Sequence, residues 1–106
     1  MSSYNRNLYK CEFDEVDIIS FKDIKKYLEK KDCLIIDLRE PQEYKRIHVK
    51  GAVNIEYNDE DIKVPFESRN KLLVFYCDSG ERALMAAGHM KRRGYKTVAV
   101  ADRFPH

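Results

Sequence analysis

Leu72-Leu73-Val74-Phe75-Tyr76 is followed at once by Cys77-Asp78-Ser79-Gly80-Glu81-Arg82, and the chain then runs on from Ala83 to Arg93. The first five residues are apolar or aromatic, which is typical of a strand covered on both faces of a sheet. The stretch after the loop repeats small and apolar residues at helical spacing and stops at Gly94, so it predicts a packed helix. A cysteine therefore lies between a buried strand and a helix.

The junction of this strand and this helix is where a reactive cysteine gains most from the backbone. The first N–H groups of a helix have no partner within it, and the helix dipole adds partial positive charge there. A thiolate, a persulfide or an oxyanion suits such a position. Gly80 allows a positive φ that curls the loop around the sulfur of Cys77, and Arg82 adds a full positive charge. Free cysteines are often structural, but this placement favours Cys77 as a nucleophile.

Length, charge and cysteine count limit the possible classes of function. A chain of 106 residues fits one domain, and 20 basic against 18 acidic residues give a net charge of +2, which is no argument for nucleic-acid binding. No apolar run approaches the roughly 20 residues that span a bilayer. Three cysteines and no signal-peptide pattern favour free thiols in the cytoplasm. Cys33 is predicted to be core and Cys11 structural, with a role for Cys11 as a resolving thiol left open.

The rest of the chain alternates predicted strands with helical segments. The strands are predicted at residues 16–19, 33–38, 53–55 and 97–101, with an extra strand at 8–13 in an N-terminal extension of residues 1–15. One helix is predicted to start with a capping box of Ser20 and Asp23 and to end at 30–32, a second to start at Glu40-Pro41, and one helical turn is predicted at 59–61. Tyr44 and Ile47 are expected on the buried side of the second helix.

Alternation of this kind predicts a parallel sheet covered on both faces. Such sheets bind their ligands beyond the C-terminal ends of the strands. Cys77 follows one predicted strand, and Asp37 and Arg39 come at the end of another. We therefore expect all three residues at one cleft.

Two blocks of sequence together resemble the rhodanese-like sulfurtransferases. One is Cys-x-x-Gly-x-Arg after a buried strand, at residues 77–82. The other is Leu34-Ile35-Ile36-Asp37-Leu38-Arg39-Glu40-Pro41-Gln42-Glu43-Tyr44, followed by His48-Val49-Lys50-Gly51-Ala52-Val53-Asn54-Ile55. The resemblance covers roughly residues 17–100. It implies a single α/β rhodanese-like domain over residues 1–106, with a five-stranded parallel sheet in the order 1-5-4-2-3 and an active-site loop between a central strand and a helix N-terminus.

The resemblance also implies an activity and a set of site residues. The activity is transfer of sulfane sulfur from thiosulfate or a persulfide, through a persulfide on Cys77, to cyanide or a thiol, with a protein persulfide as a further possible partner. No metal or organic cofactor, nucleic acid or membrane is implied, and the oligomeric state stays open. The residues of the active-site loop and of substrate binding would be Asp78, Ser79, Gly80, Glu81, Arg82 and Arg39, with Asp37 and His48 as structural support.

The polar residues outside the loop admit more than one role. Asp37 is favoured as a structural partner of a backbone turn or an arginine over direct chemistry. Arg39 is equally a substrate-facing cation or a surface ion pair, which is worth little. His48 is favoured as a structural hydrogen-bonding residue over a general base, and His89 is expected to face solvent. No cysteine–histidine spacing suits zinc.

Two other classes of function remain as alternatives. Cysteine phosphatases and arsenate reductases use a Cys-x5-Arg loop, whereas four residues separate Cys77 from Arg82, and the tighter ring favours a single sulfur atom. A binding or redox-sensing module is suggested by three departures from the family: Ile47 stands where glycine usually precedes the histidine, Ala101-Asp102 replaces a glycine pair, and the loop is acidic. Retention of Cys77 with Gly80 and Arg82 favours activity.

The acidic loop and the end of the chain each carry an expectation. Asp78 and Glu81 flank the nucleophile, and one charge about 8 Å from an anion contributes about 2 kcal/mol at an effective dielectric constant of about 20. Thiosulfate, a dianion, should therefore be a poor donor compared with a neutral, cationic or protein-bound one. Without the family's closing segment after His106, part of the sheet is expected to lack cover, which residues 8–13 or a second copy would supply.

Overall fold

The computed structural model describes residues 16–28, 30–57 and 62–105, and within them five parallel strands form one sheet. The strands are β1 (Asp17–Ile19), β2 (Cys33–Asp37), β3 (Val53–Asn54), β4 (Leu72–Tyr76) and β5 (Lys96–Val100). Their order is β1-β5-β4-β2-β3, so the predicted parallel sheet, its order and its central strands are confirmed. The predicted strand at 8–13, with Cys11, and the predicted turn at 59–61 lie outside the described residues.

Within the residues that the structure describes, three α-helices and two 3-10 turns accompany the strands. The helices are α1 (Lys25–Leu28), α2 (Pro41–Arg46) and α3 (Glu81–Arg92), and the 3-10 turns are Phe21–Asp23 and Phe66–Ser68. Pro41 stands at the first helical position of α2, as predicted. Gly94 follows α3 with a φ of 99°, which confirms it as a left-handed end of that helix.

The central strand β4 is buried on both faces, and its alternating side chains separate two apolar clusters. Leu73, Phe75 and Cys77 pack with Ala83, Ala86 and Met90 of α3. Val74 and Tyr76 pack on the other face with Val98, Val100 and Phe104. The sulfur of Cys77 therefore lies on the face that α3 covers.

The register of β2 against β4 brings two strand ends together. Asp37 is paired with Tyr76, the last residue of β4, and Ile36 with Phe75. The segments that leave β2 and β4 therefore start side by side at the C-terminal edge of the sheet. Residue 33 lies at the opposite edge, where it is paired with Leu72.

The predicted capping box at Ser20 is wrong. The Ser20 side chain makes no capping hydrogen bond, and the predicted helix is divided into a 3-10 turn and the four-residue α1. The backbone N–H of Phe21 instead donates to both carboxylate oxygens of Asp102, at 3.1 and 3.0 Å. A carboxylate from the segment after β5 thus takes the place of the local cap. This contact depends on tertiary structure, so residues 20–23 alone could not reveal it.

The expectation of a buried Ile47 is also wrong. The backbone leaves α2 at this residue with φ −163° and ψ 137°, and the side chain is 53% exposed. Tyr44 is half-buried, and its hydroxyl donates to the carbonyl oxygen of Ala52 at 2.6 Å.

The assignment of Asp102 as the capping residue can be tested by comparison with Ser20, the cap that the sequence predicted. We expect Asp102→Ala to lower the free energy of unfolding by about 0.5–2 kcal/mol, the usual effect of losing a capping acceptor. Ser20→Ala should change it by less than about 0.5 kcal/mol, as surface substitutions usually do. Urea denaturation of both variants measures the two values. A larger loss in Ser20→Ala than in Asp102→Ala would contradict the assignment.

Candidate active site

Cys77 begins the loop that joins β4 to α3, and its sulfur accepts hydrogen bonds from the backbone. The N–H of Gly80 lies 3.1 Å and the N–H of Ala83 lies 3.4 Å from Sγ. The residue is 3% exposed. Because the N–H groups at the start of a helix have no helical partners, they can stabilise negative charge on the sulfur.

Gly80 is fixed by its backbone conformation and by its surroundings. Its φ is 96°, in the left-handed region, which confirms the predicted positive φ. A Cβ at this position would overlap the carbonyl oxygen of Ala101, which follows β5. The loop therefore lies directly against the chain after β5, and no side chain fits between the two.

A cavity of about 280 Å³ opens above Cys77. Four of the five loop residues that the sequence predicted line it from the loop and the start of α3, namely Asp78, Ser79, Glu81 and Arg82, whereas Gly80 does not line it. The segment after β2 lines the other side, with Leu38, Arg39, Glu40 and Glu43. Glu40 and Glu43 were missed as site residues. The signal for them was available, because a helix that starts directly after β2 has its first turn at the same edge of the sheet.

Asp37 does not line the cleft, and this corrects the expectation that it would. The residue is fully buried. Oδ1 accepts the backbone N–H and Nε of Arg39 at 2.8 and 3.1 Å. Oδ2 accepts Nη2 of Arg39 at 2.9 Å and the hydroxyl of Tyr76 at 2.7 Å. The carboxylate thus joins the turn after β2 to the end of β4 from beneath the cleft.

Arg39 matches neither of its predicted alternatives fully. It lines the cavity, but its guanidinium forms a buried ion pair with Asp37 and donates through Nη2 to the carbonyl oxygen of Ile47. The predicted alternative of a surface ion pair is therefore wrong. Nη1 is buried and has no hydrogen-bond partner among the described residues. Removing one member of a buried pair leaves an uncompensated charge and costs about 3–5 kcal/mol.

The protonation states in this network follow from burial and from the carboxylate. Burial raises the pKa of Tyr76, and its hydrogen bond to Asp37 raises it further. Burial lowers the pKa of Arg39, but hydrogen bonding to Asp37 and the charge of Asp37 outweigh this and raise it overall. Both groups therefore remain protonated at neutral pH and act as hydrogen-bond donors.

Phe104 ties the segment after β5 to the loop, a role that the sequence analysis missed. Its N–H donates to the carbonyl oxygen of Asp78 at 3.0 Å. Its ring lies 3.8 Å from the guanidinium carbon of Arg39 and stacks on Tyr76 with ring centroids 5.5 Å apart. Phe104 also packs into the apolar cluster on one face of the sheet.

The remaining predicted residues lie away from the cavity. His48 is exposed, stacks on Tyr44 and has Nδ1 2.6 Å from the Tyr44 carbonyl oxygen. His89 is half-buried against the ring of Tyr57, so the expectation that it faces solvent is wrong. Cys33 is half-buried, and burial raises the pKa of its thiol.

Metal-binding clusters and membrane-spanning helices are both absent from the described ranges. No cluster of three or more histidine, cysteine, aspartate or glutamate side chains there could hold a metal ion. No helix in the same part of the chain is long and apolar enough to cross a membrane.

The sequence model of the rhodanese-like domain matches residues 20–103, which include both strand ends, the loop and Ala101. The chain belongs to the rhodanese-like domain family. A relative from Saccharomyces cerevisiae, named thiosulfate:glutathione sulfurtransferase, is 29% identical over 96 residues, which cover 76% of this chain and 69% of the relative. The Bacillus subtilis protein YtwF, which carries a provisional sulfurtransferase name, is 32% identical over 87 residues, or 81% of this chain and 84% of YtwF.

A solved structure agrees with the rhodanese-like fold. Reduced CoADR-RHD from Bacillus anthracis superposes with a TM-score of 0.70 at 31% identity, over 84% of this chain. The match spans 16% of that longer protein, so the likeness concerns one rhodanese-like domain within it.

The requirement for glycine at position 80 of this rhodanese-like domain can be tested by comparison with a second glycine that has a positive φ. Gly94 has a φ of 99° at the other end of α3, but a Cβ there would meet nothing within 4 Å. We expect Gly94→Ala to cost about 1–3 kcal/mol from backbone strain alone. Gly80→Ala should cost more and should alter the rate at which Cys77 is alkylated, because the loop must move away from Ala101. Equal stabilities and an unaltered alkylation rate would contradict this account of the loop.

Proposed function

We propose that this rhodanese-like domain transfers sulfane sulfur from a donor to a thiophilic acceptor through a persulfide on Cys77. The observation that carries the proposal is the surroundings of Sγ. This atom accepts hydrogen bonds from two backbone N–H groups at the start of a 12-residue helix, and Cys77 lines the cavity. The family membership and the sulfurtransferase names among the relatives support the same reaction class.

In the first half-reaction the Cys77 thiolate attacks the outer sulfur of the donor. A new S–S bond forms between Sγ and that sulfur, and the bond between the outer sulfur and the rest of the donor breaks. The donor leaves with the electron pair, as sulfite from thiosulfate or as a thiolate from a persulfide. Cys77 then holds a persulfide with negative charge on its outer sulfur.

In the second half-reaction the acceptor attacks that outer sulfur. The bond to Sγ breaks, and Cys77 leaves as a thiolate. Cyanide becomes thiocyanate, and a thiolate becomes a persulfide. The two steps form a covalent cycle that needs no oxidant or reductant.

The loop contributes by holding negative charge on sulfur. N–H groups at the start of α3 are in place before the charge appears, which is the principle of an oxyanion hole. The helix dipole is worth about 0.3–1 kcal/mol for an anion and up to about 2 kcal/mol when the site is partly buried. Arg82, which lines the cavity from the first turn of α3, adds a positive charge on the same side.

A phosphatase reaction is less well supported by the loop. Four residues separate Cys77 from Arg82, one fewer than in the Cys-x5-Arg loop of the phosphatases and arsenate reductases that share the fold. The two N–H groups in bonding position converge on the single atom Sγ. This favours a ligand the size of one sulfur atom over a tetrahedral oxyanion.

A catalytically weak binding or redox-sensing module is also less well supported, because two of the departures from the family leave the loop intact. Ile47 contributes its backbone carbonyl to Arg39 and turns its side chain outward. Asp102 caps the turn that starts at Phe21. A cytoplasmic location belongs to the proposal, since a free thiolate nucleophile needs reducing surroundings.

Sulfur loading tests the proposal directly. After incubation with a low-molecular-weight persulfide and removal of the excess, intact mass should show one added sulfur atom per chain. Peptide mapping should place it on Cys77. Cys77→Ser should abolish loading and turnover with cyanide. Cys33→Ser, at the opposite edge of the sheet, should leave both unchanged. Loading that survives in Cys77→Ser would refute the mechanism.

A further inference from the structure

The cavity above Cys77 is lined by more negative than positive side chains. Four of its nine lining residues are acidic, namely Glu40, Glu43, Asp78 and Glu81, and two are basic, Arg39 and Arg82. The charge of Arg39 is already balanced by the buried carboxylate of Asp37. Glu40, Glu43 and Glu81 form no salt bridge with any basic side chain of residues 16–28, 30–57 and 62–105.

These charges are arranged by depth. Cys77 lines the cavity and is buried, and the N–H groups of Gly80 and Ala83 face its Sγ. Arg39 lines the same cavity and is also buried, and its Nη1 has no hydrogen-bond partner in the described part of the chain. Glu40, Asp78 and Glu81 are exposed and Glu43 is half-buried. The base of the site thus favours an anion, whereas the rim favours a cation.

We infer that the thiol that accepts sulfur at this site carries positive charge close to its reacting sulfur. The inference rests on the proposed sulfur transfer. A thiolate or persulfide brings negative charge past the acidic rim, and that approach is unfavourable for a bare anion. An ammonium or guanidinium group a few bonds from the sulfur would lie at the rim while the sulfur reaches the N–H groups. Thiosulfate has two negative charges and no positive one, so the rim opposes it.

Two kinds of molecule share this chemistry. One is a small aminothiol, and the other is a cysteine flanked by lysine or arginine on a protein surface. Both place a cation at the rim and a sulfur anion at the base. The rim residues come from two segments, the start of α2 and the start of α3, so the charge preference should not depend on any single carboxylate.

The test measures how fast three thiols of similar size remove sulfur from protein that has been loaded on Cys77. The thiols are cysteamine, which is cationic, 2-mercaptoethanol, which is neutral, and 3-mercaptopropionate, which is anionic. Loss of the added sulfur is followed by intact mass. The intrinsic reactivities of the thiols differ, but they cancel when the ratio of cysteamine to mercaptopropionate rates in a variant is divided by the ratio in the wild type.

The variants are Glu40→Gln, Glu43→Gln and Glu81→Gln, singly and together. In the triple variant the rate ratio should fall roughly tenfold at low ionic strength, the lower end of the range for charged clefts. Single variants should show smaller falls, and added salt should reduce the wild-type ratio toward that of the triple variant. Glu67→Gln removes one exposed carboxylate outside the cavity and should leave the ratio unchanged.

An unchanged ratio in the triple variant would overturn the inference, and so would a fall of the same size in Glu67→Gln. Failure of the wild type to load sulfur would instead overturn the proposed function, and this inference with it. Two matched peptides, a cysteine flanked by lysines and one flanked by glutamates, distinguish the sources. If the triple substitution slows sulfur removal by the lysine-flanked peptide more than it slows removal by cysteamine, the partner is a protein surface. If the triple substitution slows sulfur removal by cysteamine more, the partner is a small aminothiol.

Discussion

The parallel pairing of β2 with β4 is the constraint on which the rest of the site depends. It places Asp37 beside Tyr76, so the two segments that leave these strands start next to each other. One segment contains the nucleophile and leads into α3, and the other carries Arg39, Glu40 and Glu43. A shift of one residue would turn β4 over, because side chains alternate between the faces of a sheet. Cys77 would then lose its place at the start of α3.

The buried carboxylate of Asp37 secures this arrangement from beneath, and the segment after β5 secures it from the side. Asp37 binds the Arg39 backbone, the Arg39 guanidinium and the Tyr76 hydroxyl. Phe104 covers Arg39 and Tyr76 and also binds the loop through the Asp78 carbonyl. Buried hydrogen-bond networks of this kind restrain the chain segments that they join. The geometry around Sγ is therefore a property of three chain segments and not of the loop alone.

Much of this structure could be predicted from local pattern. The apolar run at 72–76, the helical spacing after it and the glycines at 80 and 94 each have a local physical cause, and the structure confirms them. The strand order came from the family resemblance. The cap from Asp102, the contact of Phe104 with the loop and the buried state of Arg39 depend on residues far apart in the chain, so local spacing could not show them. Glu40 and Glu43 were missed because only the acidic residues of the loop itself were considered as neighbours of the nucleophile.

A crystal structure of the sulfur-loaded protein would show where the transferred sulfur resides. We expect density for one added sulfur on Sγ of Cys77, with the outer sulfur inside the loop and within hydrogen-bond distance of backbone N–H groups at the start of α3. The carboxylates of Glu40, Glu43 and Glu81 should remain at the rim. An added sulfur on Cys33, or an outer sulfur on Cys77 that points away from these N–H groups into solvent, would contradict this expectation.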